Sequence, residues 1–144
     1  MIGVETNILV YSHRRDSIWF TQASAAILAL IRGTAPWAIP WPCIHEFISV
    51  VTNPRVYPMA SSLDQALAQV DEWLASPGLH LLGERDDHLT RLAALARTGQ
   101  VRGPMIHDAR IAAICLSHGV TELWTTDRDF SRFPALKTRN PLLS

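Results

Sequence analysis

The feature that most restricts what this chain can become is an alternation. Apolar runs of strand length, at residues 1–4, 35–40, 79–82 and 122–125, are separated by longer stretches whose apolar residues recur at helical spacing. Thr6 and Asn7 offer capping side chains for a helix through Ile8, Leu9 and Tyr11. Residues 19–31, rich in Ala and Leu, form a second helix closed by Gly33. Pro42 marks a helix start ahead of Ile44, Phe47, Ile48 and Val51. Ser62 opens a helix that runs through Leu74 and stops at Ser76-Pro77-Gly78. Residues 86–98 repeat Leu89, Leu92 and Leu95 and close on Gly99, and Gly103-Pro104 begins a last long helix that ends at Gly119. Residues 137–139 fit an edge strand before the tail 141–144. Short strands that alternate with helices must pair in parallel and be covered on both faces. The expected fold is therefore α/β, a three-layer α/β/α domain with a central, mainly parallel sheet, spanning 1–144 as one unit.

Size and composition set the outer limits. At 144 residues the chain fits one domain and buries enough surface for a core without disulfides or structural metal. Cys43 and Cys115 are the only cysteines, too few for a disulfide framework or a four-cysteine zinc site, which points to a reducing, cytoplasmic setting. The first residues carry Glu5 inside their apolar run and lack a basic leader region, and no apolar run approaches membrane-spanning length. Thirteen acids balance thirteen Lys plus Arg, so indiscriminate backbone binding to nucleic acid is excluded while a local basic patch is not. Nearly all of that positive charge is Arg, which suits bidentate phosphate contacts.

Several acids fall at element ends that such a fold brings to one edge. Glu5 follows the first strand, Glu46 lies in the first turns after Pro42, Asp108 in the first turns after Pro104, and Asp127 follows Leu123-Trp124-Thr125, with Asp129 just beyond. Ligands in open parallel sheets sit beyond the carboxyl ends of strands. Carboxylates crowded there repel one another, and a hard divalent cation with oxygen ligands is the common means of keeping them ionised. A magnesium or manganese ion so held can clamp a phosphate and activate water for in-line attack. Phosphodiester hydrolysis fits that arrangement.

The segments Gly3-Val4-Glu5-Thr6-Asn7-Ile8-Leu9-Val10-Tyr11, His45-Glu46-Phe47, His107-Asp108-Ala109-Arg110-Ile111-Ala112-Ala113 and Leu123-Trp124-Thr125-Thr126-Asp127-Arg128-Asp129-Phe130 resemble, in order and spacing, the motifs of PIN-domain ribonucleases, and in particular the VapC toxins of toxin–antitoxin modules. The resemblance implies a metal-dependent endoribonuclease in which Glu46, Asp108 and Asp127 bind metal, with Asp129 an outer contributor. It implies that Thr6, Asn7 and Thr126 hold the acidic network by hydrogen bonds. It also implies an RNA substrate, a cognate antitoxin and a homodimer. Arg14, Arg15, Arg110 and Arg128 lie near the site in sequence and either guide a phosphodiester backbone or pair with the acids.

The sequence departs from that family at Glu5, where the family carries Asp. The added methylene moves the carboxylate by about 1.5 Å of covalent reach, and displacement by about 1 Å can cost ~10²-fold in rate. Glu5 remains a candidate metal ligand, with reduced activity expected; a catalytically silent module that binds RNA or antitoxin is the alternative. Other classes fare worse. His45-Glu46 lacks the second histidine of a zincin, no glycine-rich nucleotide loop occurs, and Glu5-Thr6-Asn7 is not the Asp-x-Asp of a dehalogenase-type phosphatase. A phosphorylated receiver would want adjacent acids after the first strand, and the only lysine is Lys137. Cys43 and Cys115 read as small buried hydrophobes.

Overall fold

The computed structural model describes residues 1–143 and contains a five-stranded, wholly parallel sheet in the order β3-β2-β1-β4-β5. The strands are β1 (Ile2–Val4), β2 (Trp37–Pro40), β3 (Leu79–Leu82), β4 (Glu122–Trp124) and β5 (Thr138–Arg139). Six α-helices surround it: α1 (Thr6–His13), α2 (Phe20–Arg32), α3 (Trp41–Val51), α4 (Leu63–Leu74), α5 (His88–Thr98) and α6 (Ile106–Ser117). Short 3-10 segments at Gly103–Met105 and Arg128–Arg132 lead into α6 and follow β4. The helices form two packed groups, α1 through α4 and α5 with α6. This is the expected three-layer α/β/α fold, and Ser144, in the expected tail, lies outside the described residues.

The local reasons are readable. β2 is buried at every position, as a strand covered on both faces must be. Ser62 and Gln65 cap α4 reciprocally, each side chain bonding the other's backbone N–H. Gly3 lets α6 and the chain after it come close to β1: a Cβ there would stand 3.2 Å from Val120 Cγ1 and 3.4 Å from Leu123 Cδ1. Trp37, Phe47, Phe130 and Phe133 anchor the core, and both cysteines are free and buried within it. Among the described residues no helix is long and apolar enough to cross a membrane.

Two local expectations change. The cap of α1 is Glu5, whose carboxylate accepts the Asn7 N–H, so Thr6 and Asn7 sit inside the first turn rather than in front of it. The last long helix is preceded by the separate 3-10 turn at Gly103–Met105, where Pro104 supplies a fixed φ and Gly103 a positive one of 56°.

Candidate active site

Strand order reverses at β1: β2 and β3 extend the sheet one way, β4 and β5 the other. The crevice outside the carboxyl ends of β1 and β4 is the place where such a fold binds ligands. Both of those ends carry polar residues that are bonded to each other. The Glu5 N–H donates to Trp124 O at 3.0 Å, and the Thr125 hydroxyl donates to Glu5 Oε2 at 3.2 Å. Thr125 Oγ1 in turn accepts the Asp127 N–H at 3.0 Å, and Asp127 Oδ1 caps the following 3-10 helix by accepting the Asp129 N–H at 2.8 Å. Asn7 Oδ1 accepts the Thr126 N–H at 3.3 Å, and the Thr6 hydroxyl donates to Glu46 Oε2 at 3.1 Å. The residues after β1, those after β4 and the acid on α3 are thereby fixed relative to one another.

The first turn of α6 delivers Asp108 to the same place. Asp108, Asp127 and Asp129 can each offer one carboxylate oxygen such that the three atoms lie within 4.8 Å of one another. Burial pushes the Asp108 carboxyl up to about 6, with further repulsion from Asp127, Asp129 and Glu46 and partial relief from His107. Glu5 lies deeper, only 6% exposed, and burial pushes it up to about 7; the charge of Glu46 adds to that push, while the bonds from Asn7, Thr125 and Thr6 oppose it. Glu46 therefore acts electrostatically on both Glu5 and Asp108. Like charges held this close, partly out of water, are stabilised only by a proton or a cation. The donor set, all carboxylate oxygen, is that of a hard divalent ion such as Mg²⁺ or Mn²⁺.

The arginines part company. Arg110 is paired with Glu84, and Arg128 stands exposed between Asp127 and Asp129. Arg15 is exposed and lines a cavity of about 460 Å³ between the end of α1 and α4. Arg14 is drawn inward. It is 8% exposed, forks onto both Asp16 oxygens at 2.9 and 2.6 Å, donates to Met59 O, and lies 4.2 Å from the centroid of the Tyr57 ring. A guanidinium committed in this way has no open face for a phosphate, so of the sequence candidates Arg14 serves the fold.

Sequence reasoning passed over Thr125 in favour of Thr126. The structure gives the hydroxyl role to Thr125, while Thr126 contributes its backbone N–H. The missed signal was position: Thr125 follows directly on β4, and its N–H still pairs with Arg139 O, so its side chain is placed as rigidly as a strand residue's.

Comparison with known proteins agrees with this geometry. Residues 2–136 match the PIN domain family. Ribonuclease VapC43 of Mycobacterium tuberculosis is 34% identical over 142 residues, covering 99% of this chain and 96% of that protein. Ribonuclease VapC48 of the same organism is 23% identical, covering 95% and 94%. Among solved structures, VapBC2 from Rickettsia felis bound to a promoter DNA fragment superposes with a TM-score of 0.69 at 20% identity, covering 97% of this chain and 98% of that one. The sarcin-ricin-loop-cleaving toxin VapC20 of Mycobacterium tuberculosis superposes at 0.66 with 16% identity, covering 91% and 93%. An acidic crevice at the reversal of a parallel sheet, a family match over nearly the full length and a close relative of the same extent lead to one conclusion: the chain belongs to the PIN domain family, among the VapC ribonucleases.

Proposed function

We propose that the protein is a metal-dependent endoribonuclease that hydrolyses RNA phosphodiester bonds and serves as the toxin of a toxin–antitoxin pair, with Mg²⁺ or Mn²⁺ as its ion. The observation that carries this reading is the convergence of Asp108, Asp127 and Asp129 at the crevice between β1 and β4. Asp108 and Asp127 are the principal ligands, Glu46 approaches from α3, and Asp129 and Glu5 flank the group. A bound ion supplies electrostatic stabilisation of the charge that develops on the phosphate, and a water of lowered pKa. The chain's own work is to hold carboxylates where that charge is needed. Thr6, Asn7, Thr125 and Thr126 fix their directions, and Asp108, pushed up to about 6 by burial and by its acidic neighbours, would be held ionised by a bound cation. The ribonuclease names of the relatives support RNA as the substrate. The VapBC2 structure among its neighbours supports an antitoxin partner, and we extend the proposal to a homodimer in the cytoplasm.

Glu5 favours a second reading. Its carboxyl is buried and serves as the helix cap and the acceptor of the Thr125 hydroxyl, so it is withdrawn from the group of three acids. A silent module that retains RNA or antitoxin binding is the form this would take. One experiment separates the two: purified protein, freed of any partner, is incubated with structured RNA and Mg²⁺ beside Asp108→Asn. Metal-dependent cleavage lost in the variant supports the enzyme, whereas absence of cleavage in both supports the silent module.

A further inference from the structure

Outside the acidic crevice, three arginines without carboxylate partners share the wall of one cavity. A cavity of about 660 Å³ opens between the end of α5, the loop after it and the 3-10 helix Arg128–Arg132, and its wall carries Arg97, Arg102 and Arg132 with Gln100, Val101 and Met105. None of its lining residues is acidic. Among the described residues the ion pairs belong to Arg14, Arg91, Arg110 and Lys137, so none of these three arginines is neutralised by a carboxylate.

The walls are fixed by close packing. Gly99 ends α5 directly against the end of the 3-10 helix, where a Cβ would stand 3.0 Å from Leu95 O, 3.1 Å from Phe133 Cε1 and 3.2 Å from Arg132 O. Arg132 NH1 donates to Gly99 O at 3.1 Å, which ties one wall to the other and leaves most of the guanidinium donors open. Gln100 turns the chain with φ of 51°, a conformation that non-glycine residues seldom adopt, and so directs the loop toward Arg102.

Two covalent paths connect this cleft to the acids. Arg132 lies one 3-10 turn beyond Asp129, about 6 Å along the axis, and Met105, the last residue of the 3-10 turn that leads into α6, lies three residues before Asp108, about 4.5 Å of helical rise. We propose that the Arg97–Arg102–Arg132 cleft is a docking site for the RNA backbone, holding phosphates next to the scissile one; this rests on the ribonuclease reading above. The chemistry favours it. The acidic crevice repels a polyanion, the chain as a whole has no net charge to attract one, and guanidinium groups grip phosphate oxygens in pairs. Attraction for RNA therefore has to be local, and this cleft gathers three unneutralised guanidinium groups one turn away from the acids.

The test uses the full chain and a short fluorescein-labelled oligouridylate, with affinity followed by anisotropy in EDTA across a salt series. Arg97→Ala with Arg102→Ala lowers affinity about tenfold, or about 1.4 kcal/mol, and reduces the salt slope by about 0.7 for each arginine removed. With Mg²⁺ and cleavable RNA, KM rises while kcat is unchanged, and Arg97→Lys with Arg102→Lys recovers the salt slope. An unchanged slope and KM in the double alanine variant overturn the proposal. So does a variant that keeps its oligouridylate affinity but loses binding to polyglutamate, because the cleft would then read carboxylates of a protein partner. Failure of the ribonuclease reading shows separately, as a wild-type protein that does not cleave with Mg²⁺, and the anisotropy arm still decides the cleft.

Discussion

Two polar clusters lie at opposite logical extremes of this molecule. At the end of α1, Arg14 is buried with every contact satisfied: Asp16, Met59 O, Ser61 Oγ and the Tyr57 face surround it, and the ring nitrogens of neighbouring His13 lie 3.0 Å from Gln69 Oε1 and 2.9 Å from Ser61 Oγ. Arg14 holds the Asp16 carboxyl below its usual range. At the ends of β1 and β4, by contrast, acids face acids, and Glu5 and Asp108 are pushed upward. The first cluster is complete as it stands and ties the 52–62 loop to α1. The second is incomplete without a cation. A charged cluster that satisfies itself serves stability, and one that cannot is kept for what it binds.

Breaking the second cluster has the largest effect on activity. Asp108→Asn should lower single-turnover RNA cleavage by about 10³-fold, and the metal-free variant should melt at a higher temperature than the parent because a repulsion is gone. A variant that cleaves at the parental rate would remove Asp108 from the site. Breaking the first cluster should do the reverse. Arg14→Ala leaves Met59 O without its donor, strips the Tyr57 face of its cation and leaves Ser61 Oγ with His13 alone, and is expected to cost about 2–3 kcal/mol in urea denaturation, with the cleavage rate per folded molecule unaltered; a loss of rate at full folding would erase the contrast.

The pH dependence sharpens the comparison next. Glu5 rises from an ordinary 4.5 to about 7 in the folded protein, so the folded state binds the proton more tightly than the unfolded one. The Glu5 contribution to the stability of the metal-free protein is then greatest in acid and is lost as pH climbs from 4.5 through 7. Glu5→Gln cannot titrate. The stability of the wild type relative to this variant should therefore drop by about 2 kcal/mol between about pH 5 and about pH 8 in EDTA. A constant difference would mean that Glu5 is ionised throughout. The smallest effect is expected from Glu5→Asp, which should raise Mg²⁺-dependent cleavage by about tenfold; equal rates at saturating metal would show that the extra methylene is accommodated.

How much of this was legible beforehand depended on where the information lay. The alternation of runs yielded the sheet and its covering helices because burial on both faces demands unbroken apolar strands, and Pro42, Ser62 and Gly33 marked helix ends by their own backbone chemistry. The residues of the acidic crevice could be named from the ends of elements. Their division of labour could not. That Glu5 turns to cap α1, that Thr125 rather than Thr126 presents the hydroxyl, and that Arg14 folds inward while Arg15 faces out each depend on packing between segments distant in sequence. The place of Arg97 in a cleft wall was hidden for the same reason, since only Gly99 packed against Arg132 and Phe133 turns that helix end into one.

The bond from Thr125 to Glu5 joins residues 120 positions apart. On a ribosome that separation is a delay: at ordinary elongation speeds roughly 6–24 s pass between the synthesis of one end of the site and the other. Throughout that interval β1 lacks its neighbour β4, and Asp127 and Asp129 do not yet exist to join Asp108. A nascent chain or fragment that ends before Asp127 lacks two of the three converging acids. The order of synthesis itself therefore keeps the unfinished molecule without its acidic site.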